Sequence, residues 1–115
     1  MISARPTGRD YGIDSEMDQL ILTAIHKKRL LRFLYNDKQR IAEPQDYGVQ
    51  KGMVNLFTYQ IGGKSSSGHL PEWRKFAVQG ISRLELLDGT FAGSRAIPSH
   101  KHQTWDVLFA RVDHF

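Results

Sequence analysis

The chain has 115 residues, 40% of them hydrophobic, a size and apolar content that suit one domain around one core. It has no cysteine, which excludes a disulfide framework, a thiolate zinc site and a cysteine nucleophile, and fits a reducing compartment. Sixteen Lys and Arg against twelve Asp and Glu leave a net charge of +4, which permits a polyanionic partner. No apolar run approaches the roughly 20 residues that span a bilayer, so the expected setting is cytoplasmic, away from membranes.

Residues 1 to 13, with Pro6, Gly8 and Gly12, show no periodicity and read as a flexible arm. A helix follows. Asp14 or Ser15 can cap it, Glu16 and Asp18 put negative charge in its first turn, and Met17, Leu20, Ile21, Ala24 and Ile25 recur at helical spacing. From Leu30 the period becomes two, with Leu31, Phe33 and Tyr35 on one face. Asn36-Asp37-Lys38 then supplies the turn to a strand at Arg40 and Ile41. Glu43-Pro44 is expected to interrupt that strand, which resumes at Tyr47 to Val49 and turns at Lys51-Gly52. Along Val54 to Ile61, Asn55, Phe57, Tyr59 and Ile61 fall on one face and Val54, Leu56 and Thr58 on the other.

Gly62 to Pro71 has loop composition, and the chain returns as strands at Trp73 to Val78 and Ile81 to Leu87, with a turn or bulge at Gly80 and an end at Asp88-Gly89. Residues 92 to 103 read as loop. Thr104 to Val112 fits a short helix capped by Thr104, or a last strand using Val107, Phe109 and Arg111; the helix is the favoured reading. The fold class is mainly β with an N-terminal α-helix: short antiparallel strands, with connections too brief for crossover helices, closing or nearly closing a small barrel. The helix and barrel domain spans 14 to 91. Residues 92 to 115 form a tail that packs on the barrel or at a dimer contact, since Trp105, Val107, Leu108, Phe109 and Val112 exceed what so small a core needs. Phe33, Tyr35, Phe57, Phe76 and Leu84 are the expected core residues.

The run from Leu31 to Phe91 resembles a WYL domain. The likeness is carried by Phe33 and Tyr35, Arg40 followed by Glu43-Pro44, the Lys51-Gly52 turn, Arg74-Lys75-Phe76 and the closing Ile81 to Leu87 strand, about half the chain. The resemblance implies an SH3-like or Sm-like antiparallel β-barrel that senses nucleotides or single-stranded nucleic acid, in a family that usually follows a winged-helix domain in bacterial transcription regulators. Residues 1 to 30 are too few for a winged helix, so a free-standing bacterial member is implied, similar to short proteins with Tyr59-Gln60-Ile61-Gly62-Gly63 and Pro71-Glu72-Trp73-Arg74 at the corresponding places. Two features depart from the family. Val54-Asn55-Leu56 stands where the naming tripeptide belongs, and Gly80 replaces a second arginine expected after Arg74.

The Gly62 to Arg74 segment is the first candidate site. The Gly62-Gly63 amides, the Ser65, Ser66 and Ser67 hydroxyls and the cations Lys64 and Arg74 can surround a phosphate or carboxylate, and Tyr59 and Trp73 offer flat faces for a base. Arg40 adds a further cation. The competing account is a plain hairpin loop, with Trp73 capping the barrel and Arg74 paired to Glu72 or Glu85. Gly63-Lys64-Ser65 is not a P-loop, because Thr58 occupies its first glycine position and Pro71 rather than a helix follows. His100-Lys101-His102, with His69 or His114, has alternate imidazoles suited to a metal, but a solvated loop accounts for it better. Ser66, His69 and Asp88 suggest no strained nucleophile turn or oxyanion donors, so no catalytic residue, metal or cofactor is expected. The functional expectation is a non-enzymatic ligand-sensing or regulatory module for a small anionic ligand, a nucleotide or short single strand, using Arg40, Tyr59, Lys64, Ser66, Trp73 and Arg74. The alternative is a protein-interaction module or homodimer using a barrel edge or the tail.

Overall fold

The computed structural model describes residues 5–65, 68–95 and 104–113. Asp14 caps helix α1 (Ser15–Lys27), its side chain accepting hydrogen bonds from the Glu16 and Met17 amides at 3.0 and 3.2 Å. Ile21, Ala24 and Ile25 form the buried stripe that α1 lays on the sheet. Where aperiodic residues suggested a flexible arm, Gly8–Tyr11 forms a 3-10 turn capped by Thr7. The buried Asp18 carboxylate holds it, accepting from the Gly8 amide at 2.9 Å and the Tyr47 hydroxyl at 2.7 Å. That anchor is a contact remote in sequence, so local pattern could not reveal it.

Six strands follow: β1 (Arg29–Tyr35), β2 (Lys38–Gln50), β3 (Met53–Gly63), β4 (Glu72–Ala77), β5 (Ser82–Thr90) and β6 (Val107–Arg111). They form one antiparallel sheet in the order β4-β3-β2-β1-β5, with β6 added to β2. Asn36 and Asp37 both take positive φ, 52° and 62°, as the two-residue turn between β1 and β2 requires.

β2 bends the sheet into a barrel-like shape by changing partners along one edge. β3 pairs along almost all of β2, whereas the opposite edge meets β1 as far as Ala42 and β6 from Asp46 onward. Pro44 therefore does not break the strand, contrary to expectation, because it falls between those two partners, where that edge has no ladder to satisfy. Gln45 is the extra residue of a bulge there, since Pro44 faces Thr58 and Asp46 faces Phe57. Val78–Gly80 makes a 3-10 turn at the expected Gly80 break, and β5 continues through Asp88-Gly89 instead of ending there. The two ends of the sheet, β4 and β5, are not paired with each other among the described residues, which leaves a seam.

Residues 107–111 are a strand, not the favoured helix. The partner that decides this is β2, with Asp46 opposite Arg111 and Val49 opposite Val107. Gly48 permits the approach, because a Cβ there would run into the Val107 carbonyl and the Trp105 ring. Phe109 and Val112 complete the core that Leu31, Phe33, Tyr47, Leu56 and Phe76 begin. Tyr35 and Leu84 pack on that core half-buried. Phe57 is buried but lies outside the core cluster, stacked under Trp73. No helix among the described residues is long and apolar enough to cross a membrane.

Candidate functional site

Arg40 is the largest side chain with no exposure to solvent. It stands on β2 opposite Phe33 of β1, a core residue, and so points inward. Its Nη2 donates to the Tyr35 carbonyl at 3.0 Å and its Nη1 lies 3.5 Å from Gln60 Oε1. Its Nε has no hydrogen-bond partner among the described residues, and no carboxylate there comes within ion-pair distance. The rings of Phe76 and Tyr35, with centroids 5.4 and 5.7 Å from its guanidinium carbon, supply partial compensation. Burial first, and the nearby Arg74 charge second, hold the Arg40 guanidinium below its ordinary pKa.

Arg74 reaches the same place from β4. It precedes Phe76 by two residues and shares its inward face, with its guanidinium carbon 5.6 Å from the Phe76 centroid. Of its two expected acidic partners, Glu72 is the one met, 3.6 Å away; Glu85 instead pairs with Arg32. Gln60 closes the group from β3, directly opposite Glu72. Its amide also donates to the Gly62 and Lys64 carbonyls at 3.0 and 2.8 Å, tying the loop to the site. Gly63 belongs to β3 rather than the loop, with φ of 79°, and crosses so near β2 that a Cβ would strike the Gln39 carbonyl and the Arg40 backbone. The centre thus joins Arg40, Gln60, Glu72 and Arg74 from β2, β3 and β4.

The expected stacking residues are elsewhere. Successive strand residues point to opposite faces, so Trp73 looks outward where Arg74 looks inward. Trp73 stacks on Phe57 at 5.0 Å and meets Tyr59 edge-on at 5.1 Å, and the Arg95 guanidinium covers Tyr59 at 4.5 Å from its centroid. Tyr59 and Trp73 therefore form a second cluster on the far side of the sheet from Arg40 and Arg74. Lys64 is exposed and lines a shallow hollow of about 410 Å3 with Lys38, Ser65, Gly68 and Leu70. Ser66 lies outside the described residues, as do Ser67, His100, Lys101, His102 and His114.

Gln60 was not among the expected ligand-binding residues, although it stands in the Tyr59-Gln60-Ile61-Gly62-Gly63 segment and a second signal existed. It continues the Val54, Leu56, Thr58 face, and two fully buried polar residues, Thr58 and Gln60, on a core-facing row mark a place where polar chemistry enters the barrel.

The outer face of β2 has a different character. Buried Glu43 and Asp46 each accept two bonds from one arginine, Arg95 at 2.5 and 3.1 Å and Arg111 at 2.9 and 3.1 Å, and Trp105 Nε1 donates to Asp46 at 3.0 Å. Hydrogen bonding to these carboxylates raises the pKa of both arginines. These pairs fasten the tail. Among the described residues they match one cation to each carboxylate, in contrast to the Arg40 centre, where two arginines share Glu72. A cleft of about 700 Å3 lies between Tyr35, Met53, Asn55, Lys75 and Asp106. Among the described residues no group of three acidic or histidine side chains is arranged to hold a metal ion.

No protein-family model matches the chain, and no curated protein or solved structure matches it.

Proposed function

We propose that the domain is a non-enzymatic binding module of WYL type, whose Arg40–Arg74 centre takes the anionic group of a small ligand such as a nucleotide phosphate or the end of a short single strand. The observation that supports this reading is Arg40 itself: a fully buried guanidinium whose Nε has no partner among the described residues, with a second arginine beside it. An isolated buried charge is costly, and two like charges raise that cost, so the centre favours an anion. Arg40 and Arg74 neutralise the charge, and Gln60 orients the Arg40 fork. Tyr59 and Trp73 face away from this centre, so the reading assigns recognition to the anionic group and not to stacking of a base on these rings.

Native mass spectrometry of the protein purified from cells at low salt, repeated after denaturation, tests the proposal. The expected result is a discrete added mass bearing phosphate or carboxylate, lost on denaturation and missing from Arg74→Ala. Protein without an adduct, or the same adduct on Arg74→Ala, contradicts it. If the adduct is an oligonucleotide, affinity falls steeply with salt, whereas a mononucleotide gives a shallow dependence.

A further inference from the structure

The cleft of about 700 Å3 holds a buried amide with hydrogen-bonding capacity to spare. Asn55 stands on β3 opposite Ala77 of β4, is 7% exposed, and shares the outer face of the sheet with Lys75. A carboxamide offers two donor hydrogens and an acceptor oxygen, and buried ones ordinarily use them. Among the described residues the Asn55 side chain makes one hydrogen bond, a long 3.4 Å contact from Nδ2 to Gln50 Oε1. Its Oδ1 has no partner there and is not sealed from solvent, so it opens into the cleft.

Gln50 fixes the surroundings: its Oε1 also accepts from Lys75 Nζ at 3.0 Å, and its Nε2 donates to the Thr104 carbonyl at 2.9 Å. Lys75 meets no carboxylate within ion-pair distance among the described residues. Met53, 49% exposed, adds an apolar wall to the cleft, and a thioether packs well against aromatic rings.

We infer that this cleft is a second binding site, which takes an adenine-type base with its edge against Asn55. A carboxamide pairs with adenine through two hydrogen bonds, its oxygen accepting from the exocyclic amino group and its nitrogen donating to the adjacent ring nitrogen. Lys75 supplies a further donor for a ribose oxygen or ring nitrogen, and Met53 covers a ring face. The volume falls in the range of about 300–1,000 Å3 usual for small-ligand sites. Arg74 and Phe76 point to the inner side of β4, whereas Lys75 and Ala77 point outward, so the inference stands apart from the anion-binding reading, although Tyr35 borders both sites.

Adenosine carries no phosphate and therefore probes the cleft on its own. It is titrated into the isotope-labelled whole protein and into Asn55→Leu, with the amide signals of Asn55, Lys75 and Ala77 followed by NMR. Purine riboside, which is adenosine without the exocyclic amino group, is titrated into the wild-type protein, so this arm does not depend on the variant folding. The expected result is saturable movement of these signals by adenosine, with binding about tenfold weaker or worse for purine riboside and for Asn55→Leu. No movement of the cleft signals up to the solubility of adenosine overturns the site. Equal affinity for adenosine and purine riboside overturns the pairing with Asn55, and neither result bears on the Arg40–Arg74 centre.

Discussion

Arg40 and Arg74 hold their guanidiniums against the same ring, Phe76, at 5.4 and 5.6 Å from its centroid. One reaches it from β2 and the other from β4, with β3 between them, so the pairing is a product of the bent sheet. Neither strand alone indicates it.

Arg40→Met separates a binding role from a structural one. Replacing a buried ion pair by apolar side chains of similar volume is often neutral or stabilising by about 1–4 kcal/mol. Arg40, bonded to the Tyr35 carbonyl and the Gln60 amide, has no carboxylate partner among the described residues for its removal to strand. Arg40→Met is therefore expected to unfold at the same or a higher temperature than the wild-type protein while losing phosphate binding. Strong destabilisation with phosphate binding retained would assign Arg40 to the fold.

The outer pairs behave oppositely. Asp46→Ala leaves Arg111 and the Trp105 Nε1 without their buried acceptor. Breaking a fully buried pair costs about 3–5 kcal/mol, and because Arg111 keeps access to water the expectation here is about 2–3 kcal/mol. Urea unfolding measures it, and a change within 0.5 kcal/mol, roughly that of an ordinary surface substitution, would contradict the fastening role.

Gly48→Ala tests the seating of β6 independently. The added methyl meets the Val107 carbonyl and the Trp105 ring, so β6 must shift away from β2. Amide exchange of residues 107–111 is expected to accelerate while β3 and β4 keep their protection. Unaltered protection in β6 counts against the close approach.

Tyr47 makes stability depend on alkaline pH. Burial, then its hydrogen bond to Asp18, raises the Tyr47 pKa well above its ordinary value near 10. The folded state thus keeps the phenol proton more strongly than the unfolded chain does. The contribution is fully present below about pH 10 and is lost as the pH rises beyond it. Tyrosinate absorbance should show Tyr47 ionising only as the domain unfolds, and Tyr47→Phe should flatten the fall in stability above pH 10. An ordinary titration of all four tyrosines before unfolding would refute it.

Much of this fold is legible in local pattern. The Asp14 cap, the Ile21, Ala24 and Ile25 stripe and the Asn36-Asp37 turn are short-range signals, and each appears where the pattern puts it. The strand at 107–111 was hidden because its partner is remote: Arg111 bonds Asp46 across 65 positions, and that pairing outweighs the local capping chemistry of Thr104. Pro44 misled for the same reason, since its tolerance depends on which strands flank β2.

The site was half legible. Arg40 and Arg74 were identifiable as cations, but grouping them with Tyr59 and Trp73 ignored strand alternation, which sends Trp73 and Arg74 to opposite faces. Gln60, noted only within the Tyr59 to Gly63 segment, was not assigned to the site because a glutamine in a strand indicates no role until its row is seen to be the buried one. Cation–π contact and an orphaned Nε become visible only in three dimensions.

The most direct test of the central claim is the unfolding temperature as a function of inorganic phosphate, at ionic strength held constant with chloride, for the wild-type protein and Arg40→Met. A ligand that binds only the folded state raises stability by RT ln(1 + [L]/Kd). The account predicts a rise for the wild-type protein and a flat response for Arg40→Met. Equal rises in both proteins, or none in either, would contradict it.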